Sequence, residues 1–258
     1  MAQFELFSLN VLALGSSWFW FLYIFLGAIS SLLATVVLAL IILLIFRFLK
    51  YDNKFKHNLA WYMIHFIDTY LFHLHIEIEG KENIPDGTFV VYGNHKSKMD
   101  VLILYDVYHR VMSAVAKDDL YKIPVLHSIM DWFKVIPLNR RDDRQGVRDL
   151  IRAIKLVDGG YSMMIFPEGG IKTREEETTI GYKAGSFKLA VKPGATISPV
   201  SIIGSSKLHG KNLLLHKSEI KVIIHKPITK EMYETKNTFE IGEEVMEIID
   251  KGVTNNLI

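Results

Sequence analysis

The 258-residue chain has no cysteine, which removes disulfides, thiolate-bound metals and any acyl thioester formed on the protein itself. An excess of one charge is missing too. Thirty Lys and Arg stand against 28 Asp and Glu, for a net charge of +2, too balanced for a surface built to neutralise nucleic-acid phosphates. Charge of either sign is absent from residues 6–46, where 32 of 41 positions are Ala, Val, Ile, Leu, Met, Phe, Trp or Tyr. Only Glu5, Arg47 and Lys50 are charged in the first fifty residues, which leaves 28 basic and 27 acidic residues in the other 208. That balance describes a water-facing globular domain behind an apolar leader.

A bilayer crossing takes about 20 apolar residues at roughly 1.5 Å each, so the tract suffices for one long span or two short ones. Gly15, Ser16 and Ser17, and near the middle Gly27, Ala28, Ser30 and Ser31, are the places where a hairpin could turn. No positive charge precedes the tract and it is too long for a signal-peptide core, so it is expected to stay attached. Arg47, Lys50, Lys54 and Lys56 follow it, and basic flanks tend to remain cytoplasmic. The expected division is a membrane helix or helical hairpin over 1–50 and a cytoplasmic α/β domain over 51–258.

Past a linking stretch with helical apolar spacing, Leu74, Ile76 and Ile78 alternate with His75, Glu77 and Glu79 as in a half-exposed strand. Thr88 to Tyr92 is a short β-branched and aromatic run suited to a buried strand, closed by Gly93. Further strands are expected at 112–116, 161–166, 196–203 and 220–225, and helices at 100–108, 144–157, 183–192 and 238–251. This alternation implies an α/β architecture with a site at the strand ends. His73 and His75 are expected on one face of the first strand, and Glu175, Glu176 and Glu177 in an exposed loop.

Four segments carry chemistry. Gly93-Asn94-His95-Lys96-Ser97-Lys98-Met99-Asp100 leaves a buried strand and opens a helix. Five residues apart, His95 and Asp100 would face different sides of a regular helix, so they meet only if the chain bends between them. A bend would let Asp100 fix one ring nitrogen of His95 while the other takes a proton from a bound hydroxyl. Taken alone, the pair fits equally a His that closes a turn and an Asp that caps a helix. Phe166-Pro167-Glu168-Gly169-Gly170 ends another strand; its carboxylate needs a substrate donor, a backbone amide or a cation. Asn139-Arg140-Arg141 closes an apolar strand and offers a two-point grip on phosphate, or a solvated pair beside Asp142 and Asp143. Ile197-Ser198-Pro199-Val200 reads as a bent strand.

In this order and spacing, together with Ala116-Lys117 and Lys183-Ala184-Gly185-Ser186-Phe187, these blocks resemble the glycerophospholipid acyltransferases, specifically the lysophosphatidic acid acyltransferases. The resemblance implies a mixed central sheet flanked by helices. It implies His95 and Asp100 as the catalytic dyad, Arg140 with Lys117 on the acceptor phosphate, and Glu168 with Gly169 in the third block. Ser97 or a backbone amide would face the oxyanion. The implied reaction moves an acyl chain from acyl-CoA or acyl carrier protein to the sn-2 hydroxyl of 1-acylglycerol-3-phosphate, at a membrane, with no cofactor or metal and no nucleic acid. Family members commonly carry Thr-Arg where this chain has Gly170-Ile171. Two alternatives remain beside transfer to another lysophospholipid: a metal-assisted phosphoesterase using His95, Asp100 and Glu168, and a non-catalytic lipid-binding protein.

Overall fold

A computed structural model describes residues 2–139, 141–210 and 217–257 and divides the chain into a unit that ends at Leu49 and a unit that begins at Lys50. The first is one helix, α1 (Ala2–Phe48). Its segment Phe19–Phe48 has a mean hydropathy of 3.0 and is long and apolar enough to cross a bilayer. Phe19, Trp20, Tyr23 and Phe25 are all exposed, and the segment is apolar all round. The helix runs on through Gly27 without a turn. Ser30 and Thr35 return their hydroxyls to the carbonyls of Gly27 and Ser31 at 2.9 and 2.8 Å, so these small polar residues are satisfied within the helix and do not end it. Of the two forms expected for this tract, α1 has that of the single helix.

The second unit begins with α2 (Lys54–Phe66), capped by the Asn53 side chain, and a π turn, Ile67–Leu71. Then follow β1 (Leu74–Glu79), β2 (Phe89–Gly93), α3 (Asp100–Tyr108), β3 (Met112–Lys117), α4 (Pro124–Trp132), β4 (Ile136–Leu138), α5 (Asp143–Asp158) and β5 (Ser162–Ile165). The remainder is α6 (Lys188–Val191), β6 (Thr196–Ile203), β7 (Ser218–Ile224), α7 (Lys230–Tyr233) and α8 (Thr238–Thr254). The seven strands form one mixed sheet in the order β1-β7-β6-β2-β5-β3-β4. β6, β2, β5, β3 and β4 run parallel, and β7 reverses against β6.

β2 is buried along its whole length, as a central parallel strand must be when helices cover both faces. Phe89 and Val91 pack with Ile103, Leu104 and Val107 of α3 on one side. Val90 and Tyr92 pack with Ala153 of α5 and Ile241, Val245 and Ile249 of α8 on the other. Helices on both faces leave the carboxyl ends of β2, β5, β3 and β4 along one edge, where the chemistry-bearing blocks emerge. Gly93 closes β2 because a Cβ there would lie 3.0 Å from Val200 on β6.

Three expectations are corrected. His73 precedes β1 in a left-handed conformation, φ 51°, and so does not share a strand face with His75. The 183–192 stretch is a 3₁₀ turn, Ala184–Phe187, followed by the single helical turn α6, because Ser186 is buried and returns its hydroxyl to the Lys183 carbonyl. Lys56, counted above among the basic residues that follow the apolar tract, is not a surface charge. It is buried, its ammonium donates to the Trp132 carbonyl, and burial aided by Lys134 lowers its pKa. Glu177 is half-buried and accepts from the Ser206 hydroxyl and the Gly204 amide, unlike its exposed neighbours.

Candidate active site

The chain bends between β2 and α3, and the bend brings His95 onto Asp100. His95 Nδ1 lies 2.9 Å from Asp100 Oδ2. The same oxygen accepts the backbone amides of Lys96 and Ser97, both at 2.8 Å. Asp100 is the first residue of α3, fully buried, at the helix end where a negative charge is favoured. A carboxylate carries no proton, so Nδ1 must donate, and in the neutral ring Nε2 then keeps its lone pair. The ring is further fixed by stacking on Phe166, the residue that follows β5, with centroids 4.1 Å apart and planes 13° from parallel. His95 keeps 14% of its side-chain surface open. The arrangement is that of an oriented imidazole whose free nitrogen can take and return a proton.

Glu168 lies beneath this loop, not on its open side. It is 2% exposed, Oε1 accepts the His95 amide at 2.8 Å, and Oε2 accepts the Ile180 amide at 3.2 Å. Lys96, fully buried, places its ammonium 3.5 Å from Glu168 Oε2. The partners of Glu168 are thus amides and a cation of its own chain. Gly169 turns the backbone away at φ 75°.

The Ser97 side chain also turns inward. Its hydroxyl is buried and donates to the Leu208 carbonyl at 2.8 Å, which leaves no proton to offer an oxyanion. Lys117, at the end of β3, pairs with Asp119 at 2.6 Å, and Lys122 and Arg141 converge on the same carboxylate. Lys117 and then Lys122 hold the Asp119 carboxyl far below the usual range. Arg141 therefore bonds to Asp119, whereas Asp142 caps α5. Arg140 lies outside the described residues. The register Lys117↔Leu138 nevertheless sets the end of β4 beside Lys117. Among the described residues, no three His, Asp or Glu side chains are grouped to hold a metal.

A family model described as "Acyltransferase" matches residues 75–203, half of the chain. The chain belongs to the acyltransferase family. Its similarity to individual acyltransferases spans the same region and beyond. It is 33% identical over 215 residues to the chloroplastic 1-acyl-sn-glycerol-3-phosphate acyltransferase LPAT1 of Arabidopsis thaliana, covering 80% of this chain and 58% of that one. It is 34% identical over 160 residues to the 1-acyl-sn-glycerol-3-phosphate acyltransferase of Borreliella burgdorferi, covering 62% and 63%. The chain thus spans under two thirds of the length of these curated relatives. The crystal structure of the 1-acyl-sn-glycerophosphate (LPA) acyltransferase PlsC from Thermotoga maritima superposes with a TM-score of 0.69 at 26% identity, covering 87% of this chain and 91% of that one.

Two members of this candidate site carried no expectation from sequence. Asn94 is fully buried and bridges to β6, accepting from the Ile202 amide at 2.8 Å and donating to the Ile202 carbonyl at 2.7 Å. It extends the ladder one step past Gly93. Lys96 reads as one more surface lysine, and only the charge of Glu168 across the site explains its burial. An Asn at a strand end beside a buried Gly was the available signal for the first; the second had none nearby.

Proposed function

We propose that this protein transfers an acyl chain from a thioester of coenzyme A or acyl carrier protein to the sn-2 hydroxyl of 1-acylglycerol-3-phosphate. Nε2 of His95 takes the hydroxyl proton as the oxygen attacks the thioester carbonyl. The tetrahedral intermediate collapses by breaking the C–S bond, and the proton held on His95 goes to the departing thiolate. The products are phosphatidate and a free thiol. Asp100 keeps the imidazole in the required tautomer and stabilises its cationic form. No protein nucleophile is needed, in keeping with a chain that lacks cysteine. Arg140, with Lys117 at the end of β3 helping, binds the acceptor phosphate, and Glu168 positions His95 by holding its amide. α1 anchors the enzyme in the bilayer that holds its acceptor, with Arg47 and Lys50 keeping the second unit on the cytoplasmic side.

The observation that carries this reading is the 2.9 Å contact between His95 Nδ1 and Asp100 Oδ2, with the ring partly open to solvent. The test is incubation of the purified protein with a labelled acyl thioester and a panel of lysolipids, scored by product identity. Lysophosphatidate should be converted to phosphatidate, and His95→Ala should lower turnover by about 10²–10⁴-fold while the protein stays folded. Near-normal turnover by that variant removes the assigned base.

A further inference from the structure

The tight turn after β5 carries no cation between Pro167 and Ile171. Glu168 faces inward, and Gly169, Gly170 and Ile171 follow it. A cation reaches this turn from downstream. The Lys183 amide donates to the Pro167 carbonyl at 2.9 Å, tying the two segments together. The Lys183 carbonyl is held by the amide and hydroxyl of Ser186 at 2.9 and 2.7 Å. Its side chain then runs over Gly169, so that a Cβ on that glycine would lie 3.1 Å from Lys183 Cε and 3.7 Å from Nζ. The turn is closed by the Gly169 amide on the Phe166 carbonyl at 3.1 Å, and Phe166 is the residue on which the His95 ring stacks. Lys183 is therefore one tight turn from the base.

Several cations near the site are already paired within the chain. Lys117, Lys122 and Arg141 all converge on Asp119, and Lys96 is buried against Glu168. Lys183, like Lys98, Lys172 and Arg174, is exposed and takes part in none of the ion pairs among the described residues, and it is set apart from those three by its seat over Gly169. An ammonium with three free donors, seated on a glycine beside the reacting group, suits a phosphate monoester.

Resting on the function proposed above, we infer that Lys183 binds the acceptor's phosphate monoester directly and so makes the site favour that headgroup. The test is steady-state kinetics of the full-length protein in mixed micelles, with acyl-CoA saturating and lysophosphatidate varied. Lys183→Gln should raise the KM for lysophosphatidate on the order of 10- to 100-fold, as expected for loss of one charge-assisted contact, with kcat within about threefold of wild type. Lys183→Arg should stay near wild type, because it keeps the charge and the donors. The variants' melting curves should overlay the wild type's. An unchanged KM in Lys183→Gln, or a fall in kcat alone, overturns the inference and leaves the proposed reaction standing. A wild type inert toward lysophosphatidate overturns the reaction itself, and that is read before any variant is compared.

Discussion

The Lys96–Glu168 pair invites a double-mutant cycle. Both side chains are fully buried, with the ammonium 3.5 Å from Oε2, and at an effective dielectric constant of about 20 two unit charges at that separation attract by ~5 kcal/mol. Glu168→Gln keeps the shape and removes the charge. One end of the amide can still accept the His95 N–H, but its NH2 end then meets the Ile180 N–H and the Lys96 ammonium, donor against donor. Stranding a buried ammonium costs about 3–5 kcal/mol, so this single variant should be severely destabilised. Lys96→Met alone leaves Glu168 its two amide donors and should cost less, ~1–3 kcal/mol. In the double variant the stranded charge is gone, and the loss should fall short of the sum of the single losses by at least ~2 kcal/mol. Tryptophan-monitored chemical denaturation of the detergent-solubilised protein gives all three values. Strict additivity would show that the two charges do not feel each other and that the loop is held by the amides alone.

Three further outcomes follow from the same geometry. Asp100→Asn should keep the fold but lower kcat by about 10²–10⁴-fold with little change in KM, because an amide can place its NH2 against Nδ1 and select the wrong tautomer; a kcat within a few-fold of wild type refutes the orienting role. Ser97→Ala strands the buried Leu208 carbonyl and should cost ~1–3 kcal/mol in stability with a much smaller loss of turnover per folded molecule than His95→Ala; equal losses would return the hydroxyl to the oxyanion. Asp68, in the π turn, is buried with neither oxygen hydrogen-bonded, and burial, then the nearby Asp106 charge, raise its pKa to about 7. The folded state thus holds a proton that the unfolded chain releases. Its stabilising effect is complete below the ordinary carboxylate value of 3.8 and is lost as pH rises through about 7. Asp68→Asn should remove up to about 4 kcal/mol of that decline and melt above wild type at pH 8; parallel pH profiles would rule the group out.

How much was legible in the chain depended on the range of the interactions involved. Residues 100–108 were readable as a helix because Asp100 opens it and its apolar residues recur at helical spacing, and 74–79 as a strand from strict alternation. α4 escaped notice because Pro124 resembles a stop signal when it is in fact the first helical residue, a position where its missing N–H costs nothing. The middle of α1 resembled a turn because hydroxyl groups that bond back to their own helix look, as letters, like breakers. In the site, the contact between His95 and Asp100 could be argued from the need for a bend over five residues. The inward turn of Glu168 and the burial of Lys96 could not, since each is explained only by a residue from a distant segment. The conversion of Ser97 from a candidate donor to a buried strut has the same origin, because its partner is the carbonyl of Leu208.

Asp100 Oδ2 is at once the acceptor for the loop amides that open α3 and the acceptor for the imidazole. Fraying of that first turn would set the ring loose while the sheet remained intact. Heating should therefore silence the protein before it melts, and its upper working temperature would be a local property of one helix end instead of a measure of the whole fold.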